Sequence, residues 1–276
     1  MGGMGMGGMG IPMGRGMGGG IVGIIGLLIV LFLSGGLGSL GNGGDGGVGV
    51  FGETQGGAAD PADDELVQFM SDALDDVQAF WSTDAGLGSQ YQDAKLVLFS
   101  GGVSTGGCGN APSSVGPFYC PADSKAYIDL SFFEELQSRF GAPGDFAQVY
   151  VLAHELGHHV QNLLGTSAQV HEAEQRDPDQ ANEYSVRLEL QADCYAGVWG
   201  NSAKDRGILE PGDVEEGLGA AAAVGDDRIQ QQAGGSVDPE SWTHGSAESR
   251  QRWFDTGFQS GNYRDCDTFT PAYDQL

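Results

Sequence analysis

The first 57 residues cannot build a core, and this decides where one can form. They hold 25 of the chain's 49 glycines, interspersed with Met1, Met4, Met6, Met9, Met13 and Met17. Such a stretch is too poor in packable side chains to bury an interior. From Asp60 onward the composition is that of an ordinary folded domain, so one domain of roughly 215 residues is expected. The charge is lopsided, with 38 acidic residues against 12 basic ones. Phosphate repulsion over most of such a surface excludes a nucleic-acid partner. An acidic surface with only Lys95, Lys125 and Lys204 as lysines suits high salt, and serves equally as a plain solubility device.

Between Arg15 and Asp45 no residue is charged, and this gap contains "IVGIIGLLIVLFL", residues 21–33. Extended over the uncharged flanks, the stretch is long enough to cross a bilayer. A cleaved signal peptide has a similar apolar run, but no A-x-A site follows, which favours an uncleaved anchor. Arg15 is the basic residue next to the segment, so the positive-inside rule leaves the N-terminus in the cytoplasm and exports the domain. The expected organisation is a Gly/Met-rich segment at 1–17, a transmembrane anchor at 18–40, a flexible tether at 41–60 and an extracytoplasmic domain at 61–276. One partner is then the lipid bilayer. The four cysteines contain no C-x-x-C pair, which argues against a four-thiolate metal site. Local loop closure favours Cys108–Cys120 and leaves Cys194–Cys266, given an oxidising compartment.

Within the domain, apolar residues at helical spacing (Leu66, Phe69, Met70, Ala73, Leu74, Val77) follow Pro61. Residues 95–100 and 125–131 read as short strands, and 101–120, rich in Gly, Ser and Pro, as a loop. "SFFEELQSRFG" reads as a helix with Ser131 as N-cap, Glu134 completing a capping box and Gly141 as terminator. Further helices are expected over 145–164, 180–204, from Pro211 through "GLGAAAAVGDDRIQQQ", and over 246–259. Long helices outnumber short strands, so the class is α+β, mostly α.

The helix at 145–164 carries "VLAHELGHHVQ", with three of the chain's five histidines. His154 and His158 are four apart and share a helix face, so both imidazoles can reach one metal ion. Glu155 falls about 100° around the helix, close enough to act on a metal-bound water as general base. This is H-E-x-x-H, a motif that also arises by chance, so its weight depends on a third ligand. "RLELQADCYAG" offers Glu189 as that ligand and Asp193, one turn on, as a partner for a ligand histidine's N–H. Asp193 itself and Glu183, at a different helical phase, are the alternatives for the third ligand. An extended metzincin motif would need a histidine where Leu164 stands.

"HELGHHVQNLLG" followed by "RLELQADCYAGVW" resembles the bacterial neutral zinc metallopeptidases, membrane-anchored proteins with a zincin-type domain. The resemblance continues in "GPFYCPADSKAYIDLSFFEEL" and "THGSAESRQRWFDTGFQSGNYRDCDTF", and so spans about 96–269. It implies a zincin-like fold, a zinc cofactor and a peptide or protein substrate. The Glu-x-x-x-Asp arrangement is also similar to integral-membrane metallopeptidases of the prenyl-protein-processing type. The departure is the Gly/Met-rich N-terminus, where family members often carry a polar, arginine-containing segment.

His159, adjacent to His158, is expected to pack or support rather than ligate, and His171, in "HEAEQRDPDQ", to lie in a solvated loop. Peptide hydrolysis profits from a donor to the developing oxyanion. His244, Tyr127 and Tyr195 compete for that role, and a purely structural turn is an equal reading of His244. The sequence therefore predicts zinc-dependent peptide-bond hydrolysis, with His154, His158 and Glu189 as ligands and Glu155 as base. The rival is a zinc-binding pseudoenzyme or envelope binding module without peptidase activity.

Overall fold

The computed structural model describes residues 61–83 and 85–276. The expected N-terminal segment 1–17, anchor 18–40 and tether 41–60 lie outside the described residues. Among the described residues no helix is long and apolar enough to cross a membrane.

The fold is mostly helical with a small sheet, the α+β class expected. Helix α1 (Pro61–Trp81) buries Met70 and Val77 of the expected stripe, keeps Leu66, Phe69, Ala73 and Leu74 half-buried against the same core, and adds Trp81 beyond them. Strands β1 (Lys95–Phe99), β2 (Gly102–Ser104), β3 (Asn110–Pro112), β4 (Phe118–Cys120) and β5 (Lys125–Asp129) follow. β1 pairs in parallel with β5, and β5 pairs antiparallel with β4, which leaves β4 at the sheet edge. β2 and β3 form a separate antiparallel ribbon. The stretch 101–120 is therefore not a plain loop: it folds into three short strands, closed by the Cys108–Cys120 disulfide over a small core of Ala111, Val115 and Tyr127.

Helix α2 (Ser131–Ser138) begins differently from the capping box expected. Ser131 is its first helical residue, and the Ser131 N–H and hydroxyl both donate to Asp129 Oδ1. Asp129 also accepts from the Gly101 N–H at 2.9 Å and from the Ser113 hydroxyl, so one buried carboxylate ties the ribbon to the helix start. The helix ends at Ser138, before the expected terminator Gly141.

Helix α3 (Asp145–Leu164) has the predicted bounds. Its first turn is held by carboxylates: the Phe146 N–H donates to Asp145 and, at 3.2 Å, to Glu216. Negative charge there complements the helix dipole. Gly165 ends α3 at φ 79°, a left-handed conformation that glycine adopts without strain. The chain then turns straight into α4 (Thr166–Arg176), whose second half, from His171, was expected as part of a solvated loop. Helix α5 (Ala181–Asp205) runs close to its expected length. The single helix expected through "GLGAAAAVGDDRIQQQ" is two, α6 (Asp213–Ala223) and α7 (Asp226–Gln232). The break falls at Gly225, where an added Cβ would sit 2.4 Å from the Ala247 backbone nitrogen. Helix α8 (Ala247–Ser260) is capped by the Ser246 hydroxyl, which accepts from the Ser249 N–H at 3.0 Å.

The main core lies among α1, α3, α5, α6 and α8. α5 and α8 approach so closely that a Cβ on Gly257 would stand 1.9 Å from the Cys194 carbonyl, and one on Gly197 2.0 Å from that of Phe254. The second disulfide, Cys194–Cys266, binds the C-terminal segment to α5. Both disulfides match the pairing expected from loop closure.

Candidate metal centre

α3 and α5 bring the predicted residues together. His154 Nε2 lies 3.2 Å from Glu189 Oε2, and His158 Nε2 lies 3.4 Å from Glu189 Oε1. These three side chains form a group that could hold a metal ion, with ligand atoms all within 4.8 Å of one another. Tetrahedral zinc with bonds of about 2.0–2.1 Å sets its ligand atoms about 3.3 Å apart, so the observed separations fit. Glu189 Oε1 has no hydrogen-bond partner, and the residue is only 2% exposed. A buried carboxylate oxygen left without a donor is costly unless a cation meets it. The donor set therefore fits a metal.

The other ring nitrogens are fixed from behind. His154 Nδ1 is 2.8 Å from Asp193 Oδ1, and His158 Nδ1 is 2.8 Å from Gln161 Oε1. With each Nδ1 carrying its proton towards an acceptor, each Nε2 lone pair faces Glu189. Gln161 is fully buried and donates to the Leu188 carbonyl at 2.7 Å, which pins its amide. Sequence reasoning missed Gln161, although residues 154, 158 and 161 fall on one helical stripe. It also missed Tyr150 and Arg250. The Tyr150 hydroxyl donates to Asp193 Oδ1, and Arg250 grips both Asp193 oxygens, at 2.7 and 2.9 Å.

Burial opposes charge throughout the centre, and the neighbours decide which groups keep it. His158 and His154 hold the Glu189 carboxyl well below its usual range in spite of burial. Burial likewise works against charge on His154, yet Asp193 pulls its pKa up to about 10. Arg250 and His154 keep the Asp193 carboxyl low. Positive charge, a proton or a metal ion, is thus favoured at His154. Glu155 differs, because burial raises its pKa and the two histidines only partly counter this. A carboxylate so shifted is a stronger base than a solvated one.

His154, Glu155, His158, Glu189, His244 and Arg250 line one cleft. The rest of its lining is largely apolar, with Pro117 and Phe118 at the start of the edge strand, Phe132 and Phe140 around α2, and Val224 and Ile229 near the α6–α7 break. His244 is buried, its Nδ1 3.1 Å from Asp226 Oδ1. The same Asp226 carboxylate accepts the N–H groups of Thr243, His244 and Gly245 at 2.8, 2.6 and 3.0 Å.

The remaining candidates fall elsewhere. Tyr127 donates to Asp123 and Tyr195 packs against Trp81, and neither lines the cleft. Glu183 pairs with Arg187 at 2.8 Å, away from the histidines. His159 is 1% exposed and bridges Tyr119 and the Gln92 carbonyl at 2.8 and 2.6 Å, the packing role expected. His171 sits on α4, half-buried, with its Nε2 2.8 Å from Gln175 Nε2, rather than in a solvated loop.

Two histidines one helical turn apart, a carboxylate from a second helix and a further carboxylate in the same cleft are the arrangement of the H-E-x-x-H metallohydrolases. Residues 1–269 match the family model described as "Putative neutral zinc metallopeptidase". The chain belongs to that family, and the family implies zinc. It is 50% identical over 211 residues to the uncharacterized protein YpfJ of Escherichia coli, covering 76% of this chain and 73% of that protein. It is 52% identical over 193 residues to the uncharacterized protein Rv2575 of Mycobacterium tuberculosis, covering 66% of this chain and 64% of that one. No solved structure matches it.

Proposed function

We propose that the protein hydrolyses peptide bonds at a zinc centre held by His154, His158 and Glu189, with Glu155 as general base. The observation that carries this reading is the buried Glu189 carboxylate, which sets one oxygen against each histidine Nε2 and whose Oε1 makes no hydrogen bond, in the cleft that Glu155 also lines. Zinc bound there supplies Lewis acidity, which polarises the scissile carbonyl and makes water easier to deprotonate. Glu155 takes the proton from the attacking water and passes it to the leaving amine. His244 is the candidate oxyanion donor: Asp226 favours its charged form against the effect of burial, and with Nδ1 held by Asp226 the Nε2–H is left for substrate in the cleft that His244 lines.

A structural zinc site has no use for an open cleft or for a base beside the ligands, and this favours the enzyme over a zinc-binding pseudoenzyme. The edge strand β4 runs beside the cleft. With the histidine helix beneath it, the arrangement fits a zincin-like architecture. The apolar lining accommodates a bulky apolar side chain next to the scissile bond. Anchoring through residues 18–40 and an extracytoplasmic site complete the reading. The two disulfides suit an oxidising compartment.

Digestion of a peptide library tests the reaction. Cleavage should occur beside bulky apolar residues, vanish with a chelator and return with zinc. His244→Ala should slow it by about 10²–10³-fold. A library left intact by zinc-loaded protein would remove the peptidase reading. Metal content tests the ligands separately. Glu189→Ala should lose most bound zinc, whereas Glu183→Ala should keep it, because Glu183 is engaged by Arg187. The opposite pattern would move the third ligand to Glu183.

A further inference from the structure

We infer that Arg250 is a positioning residue for the metal centre, acting on His154 through Asp193. The inference rests on the zinc reading above and adds a layer to it, supplied by the C-terminal helix α8. Arg250 is 3% exposed. Its Nε donates to Asp193 Oδ2 at 2.7 Å and its terminal nitrogen to Oδ1 at 2.9 Å, a bidentate grip. Oδ1 in turn accepts from His154 Nδ1 and from the Tyr150 hydroxyl. The hydrogen bond to Oδ2 comes from Arg250. Without it the carboxylate is free to rotate about its last torsion, and Oδ1 loses its aim at the imidazole.

The charges point the same way. Glu155, Glu189 and Asp193 are three buried carboxylates around one centre. One guanidinium and one divalent cation balance them. A terminal nitrogen of Arg250 stands 3.9 Å from Glu189 Oε2, so its charge also reaches the ligand carboxylate. Outside this cluster Arg250 donates to the Val224 carbonyl at 3.2 Å, which fixes the guanidinium plane from the far side. A lysine could supply the charge but not the two-pronged geometry.

The test is the zinc dissociation constant of the full chain, read by competition with a chromophoric chelator, with thermal melting in parallel. Arg250→Met should weaken zinc binding by about 10–100-fold, the range of lost outer-shell support. Arg250→Lys should recover part of that loss. Asp193→Asn should weaken binding too, and adding Arg250→Met to it should cost much less than Arg250→Met costs alone, because the arginine acts mainly through Asp193 and only its longer contacts to Glu189 and His154 remain. If Arg250→Met fails to fold, the double variant no longer buries an unpaired carboxylate, and its comparison with Asp193→Asn decides the matter. Wild-type zinc affinity in Arg250→Met, or strictly additive losses in the double variant, would overturn the inference and leave the zinc reading standing. A wild-type chain that binds no zinc would overturn both.

Discussion

Replacing Cys194 and Cys266 together by alanine should lower the stability of the domain by about 4 kcal/mol in the chain-entropy description of disulfides. The two cysteines are 72 residues apart, and both are fully buried. By the same reasoning Cys108–Cys120, which closes a separation of 12, contributes about 3 kcal/mol, so the longer loop matters more. At about 2–4 °C per kcal/mol for a domain of this size, the melting temperature should fall by roughly 10 °C. The effect belongs to the site as well as to the fold, because Cys194 follows Asp193 on α5. The C-terminal segment held by the bridge also receives the Arg187 guanidinium on its carbonyls and returns the Thr268 hydroxyl to the Arg187 carbonyl at 2.7 Å. Calorimetry on the double variant, with Cys108–Cys120 intact, is the measurement. A melting temperature within a degree or two of wild type would mean that these hydrogen bonds hold the segment without the bridge.

The sequence made the ligands legible because helical periodicity is a local property. His154 and His158, and Glu189 and Asp193, are each one turn apart, so placing them on faces needs only the chain's own spacing. What joins the two helices is tertiary, and there the reading thinned out. Arg250 is no candidate on local spacing, although Ala247, Arg250, Phe254 and Phe258 make one stripe of α8. A charge on an otherwise apolar stripe was the available signal. Gln161 carried a similar signal on the histidine stripe. The loop assignment of 101–120 failed because three-residue strands leave no usable alternation, and their pairing is set by the sheet and by Asp129. α4 was missed because Gly165 ends one helix while immediately preceding the next. The break at Gly225 answers to a contact with Ala247, more than twenty residues on, which no local pattern encodes.

If the metal serves chemistry rather than the fold, Glu155→Gln should separate hydrolysis from metal binding. Glu155 lines the cleft beside the three ligands without belonging to the ligand group. Glutamine keeps its size and leaves His154, His158 and Glu189 untouched, so zinc content should stay at one ion per chain. Peptide hydrolysis should nevertheless fall by at least about 10²–10⁴-fold, the range of a lost general base. The fall should appear in kcat, because the proton transfer matters in the transition state rather than in substrate binding. The measurement is the zinc content and kcat of purified wild type and Glu155→Gln side by side. Full zinc in both, with hydrolysis lost only in the variant, is the predicted result. Equal hydrolysis by both, or full zinc in both with no hydrolysis by either, would contradict the account.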